Sequence, residues 1–340
     1  MADLASALAG RLGIDAGKIA AMPAKGVAHD HYRIAGQGLV IRVPKDLPWA
    51  APALEHLAYE TACFRRAEPS GVTPRLAEVL KVGPDLPRGA LLVEEIVGRP
   101  VHLPGDLGEV AVALGRLHSV EIPPPAGRSP LPDHGGEGPS AATLALIAKH
   151  AGFLGEADIS NESRQALQDE WDWAQAWVAG LRGSEPLALV GSDTHPGNFI
   201  IQPNGSARFV DLERVLYGSP VIDLAHASLP TSLSWDRSVT GEADRPDIVR
   251  FYRRYLDTVG PRRGEALKPW LMSARRLTWL RTMMWFVRWE AISAAGGLQI
   301  DDGLAAHIRS RIAAFLAPEA IRRMRAEWLE GLPLLEEICS

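Results

Sequence analysis

Three oxygen-bearing side chains lie within one short segment of the sequence. Asp193 is followed five residues later by Asn198, and Asp211 comes thirteen residues after Asn198. Carboxylate and amide oxygens suit Mg²⁺, which takes one or two ligands from protein and the rest from phosphates and water. A second carboxylate beside the ion can accept the proton of an attacking hydroxyl group. This set of groups is typical of a site for phosphoryl transfer.

A predicted β-hairpin brings two of these residues together. Two short apolar runs flank Asn204-Gly205, and Asn-Gly is the strongest two-residue hairpin turn because both of its residues take positive φ. With this turn at the tip, the numbers of facing residues sum to 409, so Asn198 faces Asp211. Facing side chains have Cβ atoms roughly 5 Å apart. We therefore expect an amide and a carboxylate to bind one metal ion at the open end of the hairpin.

Each of the three residues also has a structural interpretation. Asp193 can cap a turn, Asn198 can be a turn residue, and Asp211 can be a solvated strand end, and for any one residue alone these are the more common roles. The joint spacing favours chemistry, because three such side chains are hard to obtain by accident at the required positions. Asp193 is the candidate catalytic base, and Asn198 and Asp211 are the candidate metal ligands.

This segment resembles the catalytic core of the aminoglycoside phosphotransferase and choline kinase superfamily. The likeness is carried by D-T-H-P-G-N at 193–198, F-V-D-L-E at 209–213 and G-S-P-V-I-D-L-A at 218–225. The family pattern is His-Gly-Asp-x-x-x-x-Asn, a hairpin, Ile-Asp-x-Glu, and later Gly-Asp-Pro-x-x-Asp-Leu-Ala. The resemblance implies a protein-kinase-like fold, ATP or GTP and Mg²⁺ as cofactors, and a small-molecule hydroxyl as acceptor. It also implies that Asp223 is a buried acid that braces the catalytic loop, and the same residue suits the N-cap of the next helix.

The likeness extends more weakly into the first hundred residues. Gly26 and His29 stand where the family's first hairpin covers the nucleotide phosphates. Arg42 takes the place of the phosphate-binding cation, a role that a guanidinium can fill with bidentate hydrogen bonds. Glu60, on the following helix, is the expected partner that orients Arg42. The alternative for Arg42 is a surface charge on an edge strand.

Two positions depart from the family pattern. Gly191-Ser192 replaces the His-Gly that precedes the base, and in the family that histidine supports the loop from behind. His29 stands where an asparagine is common. We interpret His195, inside the loop, as structural. A degenerate relative that binds nucleotide or ligand without transferring phosphate therefore stays open as an alternative.

Apolar patterning divides the chain into two regions. Residues 1–97 contain short strand-like runs around one helix at 51–68, and residues 98–340 are mainly helical. This order predicts an α+β, two-lobed fold. The resemblance implies that the small β-rich lobe at 1–97 binds nucleotide and that the larger helical lobe at 98–340 carries the catalytic loop, the metal-binding hairpin and the acceptor region. Glu94 and Ile96 correspond by the resemblance to the hinge, whose main-chain groups bind the adenine edge.

Tryptophans mark the region where the acceptor is expected. Trp235 follows Asp223 in sequence, and Trp285 and Trp289 share one face of a helix over 268–291. Tryptophans in helices usually pack in a core. The second interpretation is an aromatic wall for a bulky or cationic acceptor. The resemblance implies an antibiotic, such as an aminoglycoside or a macrolide, or an amino alcohol such as choline.

Composition disfavours several classes of protein. The 340 residues carry 36 Lys plus Arg and 41 Asp plus Glu, a formal net charge of −5, which argues against a protein that coats nucleic acid or an anionic membrane. Two cysteines form neither a disulfide framework nor a thiolate metal site and suit the cytoplasm. The run from Met283 to Val287 is too short to span a bilayer. We expect a cytoplasmic monomer or homodimer.

Two further alternatives come from other classes of protein. A protein kinase is disfavoured because no activation-segment signature appears between Asp211 and Asp223, which are only twelve positions apart. A helical adaptor without enzymatic activity would bind no nucleotide. Binding of ATP in the presence of Mg²⁺ separates the adaptor from every nucleotide-dependent hypothesis.

Overall fold

The computed structural model of the chain describes residues 4–23, 28–45, 51–294, 302–330 and 334–339. The strands in this part are β1 (Ile19–Ala21), β2 (His29–Ile34), β3 (Leu39–Pro44), β4 (Leu76–Leu80), β5 (Ala90–Glu94), β6 (Arg99–Pro100), β7 (Ala188–Val190), β8 (Phe199–Ile201), β9 (Ala207–Phe209) and β10 (Leu216–Gly218). The helices are α1 (Leu4–Leu12), α2 (Ala53–Ala67), α3 (Leu107–Leu117), α4 (Pro139–Ala151), α5 (Asn161–Gly180), α6 (Pro220–Ser228), α7 (Pro230–Leu233), α8 (Arg245–Val259), α9 (Pro261–Leu267), α10 (Leu271–Ala294), α11 (Asp302–Leu316), α12 (Pro318–Leu329) and α13 (Leu334–Cys339).

An antiparallel sheet dominates the N-terminal region. Its strand order is β1-β2-β3-β5-β4. The β2–β3 turn contains Gly36 and Gly38, both with positive φ, and the register places His31 opposite Arg42. Helix α2 buries Leu57 and Phe64 in the core beneath the sheet. The predicted strands and the predicted helix over 51–68 are confirmed in this region.

Helices make up most of the C-terminal part, and two small sheets lie among them. The three-stranded sheet has the order β6-β8-β9, and β7 pairs with β10. Helix α10 is central, since it contacts α4, α5, α6 and α11. In the described part of the chain, no helix combines the length and apolar character needed to cross a bilayer.

The hairpin forms as predicted, but its register differs by one residue. Phe199 pairs with Phe209, so facing numbers sum to 408 and Asn198 lies opposite Val210, whose N–H donates to the Asn198 carbonyl over 2.9 Å. The cause is a three-residue loop, Pro203-Asn204-Gly205, in which only Gly205 has positive φ (86°). The prediction that Asn198 directly faces Asp211 is therefore wrong, although both residues lie at the open end of the hairpin.

Two apolar clusters hold these elements together. The larger cluster joins Val40 of the N-terminal sheet and Phe64 of α2 to Leu114 of α3 and Phe209 of β9. The second lies within the helical part, around the fully buried Trp279 of α10. Because the larger cluster runs from the sheet into the helical part, the catalytic segment rests on the same core as the N-terminal strands.

Candidate active site

Asp223 braces the segment that leads to the candidate base. Its fully buried carboxylate accepts hydrogen bonds from the N–H of Gly191 at 2.6 Å and of Ser192 at 2.8 Å. The Nε2 atom of His118 lies 3.1 Å from the same carboxylate. Helix α6 begins at Pro220 with Ser219 as its N-cap, so Asp223 lies inside the helix and the N-cap interpretation is wrong.

Gly191-Ser192 leaves no room for the histidine of the family pattern. A Cβ atom at residue 191 would lie 2.8 Å from both the Phe209 ring and the Thr194 methyl group. The backbone of Ser192 has a φ of 64°, a left-handed conformation that residues other than glycine seldom adopt. The loop is instead held by Thr194, whose hydroxyl donates to the Asp223 carbonyl at 2.8 Å.

His226 supports the loop from helix α6. Its Nδ1 atom accepts a hydrogen bond from the Thr194 N–H at 3.0 Å, which requires that nitrogen to be unprotonated. Burial, together with the charge of Arg281, lowers the pKa of His226 to about 3, so the ring is neutral near pH 7. The same Nδ1 atom lies 3.8 Å from the Asp193 carboxylate.

Asp193 lies at the end of this braced segment with a partly exposed side chain. Burial acts to raise the pKa of its carboxyl group, but basic neighbours, His195 first and then Arg214 and Arg281, lower it below its usual value. Arg281 of α10 also donates to the Ser192 carbonyl at 3.2 Å. Asp193 is therefore an ionised acceptor, able to bind a hydroxyl proton.

Asn198 contacts the candidate base through the backbone. Its amide nitrogen donates to the Asp193 carbonyl at 2.9 Å, so the amide oxygen is the atom left to coordinate a cation. His195 closes the intervening turn, because its Nδ1 atom accepts from the Gly197 N–H at 3.2 Å. This contact agrees with the structural role expected of His195.

Asp211 lies among other acidic groups. Burial raises the pKa of its carboxyl group, and the negative charges of Glu213 and Asp193 raise it further, against the lowering effect of Arg42. Arg42 donates to Asp211 through Nη2 at 3.2 Å. The Asp211 carboxylate and the free amide oxygen of Asn198 are oxygen donors of the kind that a hard divalent cation such as Mg²⁺ prefers.

The expected ion pair between Arg42 and Glu60 is not formed. Glu60, 1% exposed, lies with Oε1 2.6 Å from Nε2 of His29, and the other ring nitrogen of His29 lies 3.0 Å from Glu213. Arg42 extends towards the hairpin instead, with Nη1 3.3 Å from Nε2 of His31 and Nη2 on Asp211. The prediction failed because His29, at the start of β2, reaches Glu60 first. Arg42 is buried, so the edge-strand alternative is wrong as well.

Glu94 and Ile96 lie where the N-terminal sheet ends. The Glu94 carboxylate accepts from Arg208 Nη2 and from the Arg75 N–H, both at 3.1 Å, so this side chain already has protein partners. Ile96 is half-buried in the connector between β5 and β6. Gly26 lies outside the described residues.

The three tryptophans of the acceptor region form one half-buried group. The Trp235 ring is edge-on to Trp285 at 5.7 Å between centroids, and Trp285 is 5.5 Å from Trp289. Trp235 also stacks on Phe286, which belongs to the core. The core interpretation therefore holds for one side of this group. On the same face of α10, Arg281 lies one turn before Trp285.

Comparison with known proteins identifies the family. Residues 23–267 match the model of the phosphotransferase enzyme family. The chain belongs to this family. No curated protein sequence matches it.

Solved structures with the same fold include phosphotransferases of different substrate classes. A choline/ethanolamine kinase family protein from Mesorhizobium loti is 18% identical, with a TM-score of 0.61 and 99% of each chain covered. Macrolide 2'-phosphotransferase from Brachybacterium faecium is 16% identical, with a TM-score of 0.56 over 90% of this chain and 96% of that one. An ADP-bound aminoglycoside phosphotransferase is 15% identical, with a TM-score of 0.52 over 94% and 99%. At these identities the comparison shows the kinase-like fold, as expected.

Several residues of the phosphotransferase site were missed by sequence reasoning. Glu213 was visible as the last residue of F-V-D-L-E, but its partner His29 lies 184 positions earlier. Nothing in the sequence indicated that Arg281 belongs to the site, and only a weak signal indicated His226, because their helices meet the candidate catalytic loop only in the folded chain. A histidine three residues after Asp223, one helical turn on, was the single available hint for His226.

Proposed function

We propose that this phosphotransferase transfers the γ-phosphoryl group of ATP or GTP to a hydroxyl group of a small molecule. One observation carries the proposal: the Asn198 amide donates to the Asp193 carbonyl at 2.9 Å, and the Asn198 carbonyl pairs with Val210, next to Asp211, so the three residues lie at one end of the hairpin. Arg42 donates to Asp211 at 3.2 Å. A base, two oxygen ligands and a phosphate-binding cation are the groups that this reaction needs.

Each group has a distinct task in the proposed reaction. Asp193 accepts the hydrogen bond of the acceptor hydroxyl and takes its proton as the new oxygen–phosphorus bond forms, while the bond from the γ-phosphorus to the bridging oxygen breaks and the nucleoside diphosphate leaves. Asn198 and Asp211 would hold Mg²⁺, which when bound neutralises charge on the phosphates. Arg42 supplies further positive charge to the phosphate oxygens. Positioning and charge neutralisation provide most of the acceleration, because phosphoryl transfer asks for little covalent chemistry from the protein.

The acceptor is proposed from the family and from the tryptophan group. Relatives of the same fold are described as choline/ethanolamine, macrolide and aminoglycoside phosphotransferases. Trp235, Trp285 and Trp289 offer partly exposed aromatic surface on α10 and the segment after α7, which suits an antibiotic or an amino alcohol. An antibiotic acceptor would make this a resistance enzyme. The protein would act as a monomer or homodimer in the cytoplasm, where the nucleotide is available.

A panel of acceptors tests this proposal. Purified protein is incubated with Mg²⁺, ATP or GTP and one compound at a time: aminoglycosides, macrolides, choline and ethanolamine. We expect one class of acceptor to raise the release of nucleoside diphosphate about 100-fold or more above the acceptor-free rate. This factor is the usual contribution of a base that is positioned to take the proton of the acceptor hydroxyl. Phosphorylated product identified by mass spectrometry excludes simple nucleotide hydrolysis.

The degenerate alternative rests on the residues before the base. Ser192 holds a strained φ, and the space of the family histidine is filled by Phe209. A protein that has lost transfer would bind ATP with Mg²⁺ and release no diphosphate with any acceptor. In that case Asp193→Asn would bind ATP with Mg²⁺ as the wild type does, and neither protein would release diphosphate.

A further inference from the structure

His29 lies between two carboxylates from distant parts of the chain. Its Nε2 atom is 2.6 Å from Glu60 on α2, and its Nδ1 atom is 3.0 Å from Glu213, just after β9. The side chains of His29 and Glu60 are 4% and 1% exposed, and that of Glu213 is 20% exposed. The contact therefore links α2 to the segment that carries Asp211.

The two acidic neighbours favour a charged His29 ring. Carboxylates at 2.6 Å and 3.0 Å attract positive charge, so they favour the doubly protonated imidazolium over the neutral imidazole.

The bridge also determines what Arg42 can contact. In a kinase-like site with a basic residue on β3, the acid on the following helix is the natural partner of that residue. Here Glu60 pairs with His29, and Arg42 instead donates a hydrogen bond to Asp211 at 3.2 Å. Glu213 lies two residues after Asp211, so the bridge and Arg42 hold the same short segment from two neighbouring strands, β2 and β3.

We propose that His29 is a positioning residue, whose positive charge ties Glu60 to Glu213 and so holds Asp211 in place for Mg²⁺ and nucleotide. This inference rests on the proposed function, because it assigns His29 a task in that site. Two cationic side chains thus share the tasks of pairing with Glu60 and binding phosphate. His29 orients Glu60, and Arg42 remains available to the phosphate groups.

The test compares five variants in nucleotide binding. His29→Gln removes both contacts of the bridge, Glu60→Gln removes one of them, a double variant combines the two changes, and His29→Lys keeps a positive charge. Substitution of a residue that supports a metal ligand typically lowers metal affinity 10- to 100-fold. We therefore expect His29→Gln and Glu60→Gln each to raise the Mg²⁺ concentration for half-maximal ATP binding about 10-fold, and the double variant to be no worse than His29→Gln. His56→Gln is the matched control, because His56 lies 4.0 Å from Glu60 and stacks beside the His29 ring, at 6.3 Å between centroids, but does not join Glu60 to Glu213.

The outcomes separate this inference from the proposed function. Non-additive losses, an unchanged His56→Gln and partial recovery in His29→Lys support a positioning role. A lower melting temperature in His29→Gln with an unchanged Mg²⁺ requirement would overturn the inference and leave the proposed function standing. Wild-type protein that binds no ATP at any Mg²⁺ concentration would overturn both. If His29→Gln does not fold, Glu60→Gln against His56→Gln decides the question by the same criterion.

Discussion

At the scale of single residues, the candidate base is tuned by its neighbours to stay ionised. Burial alone would favour a protonated Asp193, but the basic groups around it reverse this effect. Arg281 is the neighbour that also reaches the loop itself, through the Ser192 carbonyl. A base that is charged before the acceptor arrives can bind and orient the hydroxyl group from the outset.

Arg281→Ala should therefore lower kcat about 10- to 100-fold, within the usual range for electrostatic groups at an active site, with the KM for nucleotide unchanged. The loss has two causes, because the variant removes both a cation near Asp193 and a hydrogen bond to the loop. Steady-state kinetics of phosphate transfer measures it.

Arg288→Ala is the control for this variant, because Arg288 lies two turns further along α10 and makes no hydrogen bond or ion pair with the loop among the described residues. A kcat for Arg281→Ala equal to that of Arg288→Ala would contradict the role given to Arg281.

At the scale of elements, the catalytic loop is held by contacts from several helices and by close packing against the hairpin. Asp223 and His226 of α6 bind the loop from one side, and His118 at the end of α3 contacts Asp223. The Phe209 ring fills the space beside Gly191. The loop is therefore positioned without the histidine that the family pattern places before the base.

Gly191→Ala should destabilise the fold by about 1–3 kcal/mol, the usual cost of overpacking a well-packed site. The added methyl group would meet the Phe209 ring and the Thr194 methyl group at 2.8 Å. Urea denaturation measures the change in unfolding free energy.

Gly180→Ala, at the end of α5 with no atom within 4 Å of the added Cβ, serves as the comparison and should be neutral or stabilising. Equal unfolding free energies for the two variants would show that the space beside Gly191 can adapt.

Sequence patterns predicted the elements well and the contacts between them less well. The Asn204-Gly205 signal located the hairpin, but Asn204 and Gly205 fit both a two-residue and a three-residue loop, and the choice shifts the register by one residue. The partners of Glu60 and Arg42 could not be predicted, because His29, His31 and Asp211 compete for them and only the folded backbone ranks their distances.

At the scale of the whole molecule, buried histidines link folding to pH in two directions. Burial acts to lower the pKa of His29, but Glu213 and Glu60 outweigh it and raise the value to about 9 from an ordinary 6.5. Burial lowers the pKa of His31 and His226 to about 3 and that of His150 to about 4. The folded state thus binds a proton at His29 and excludes protons at these three sites, and burial also lowers the pKa of His56 and His134.

Stability should be greatest near pH 6.5. The contribution of His29 is fully present below pH 6.5 and is lost as the pH rises through about 9. The contribution of the three neutral histidines is present above pH 6.5 and is lost as the pH falls towards 4 and then 3. Each histidine contributes a slope of up to about 1.4 kcal/mol per pH unit.

Urea denaturation of the wild type and of His29→Gln across this range checks the sign. We expect the variant to lose the decline in unfolding free energy between pH 6.5 and about 9 and to keep the decline on the acid side. An alkaline decline of the same slope in both proteins would assign it to other groups.

The most direct measurement is phosphate transfer by the wild type and by Asp193→Asn in the same assay, with the acceptor that the panel identifies. Asp193→Asn keeps the shape of the side chain and removes the proton acceptor, so we expect turnover to fall about 100-fold or more while ATP affinity stays within several-fold of the wild type. Equal turnover in the two proteins would contradict the assignment of Asp193 as the base.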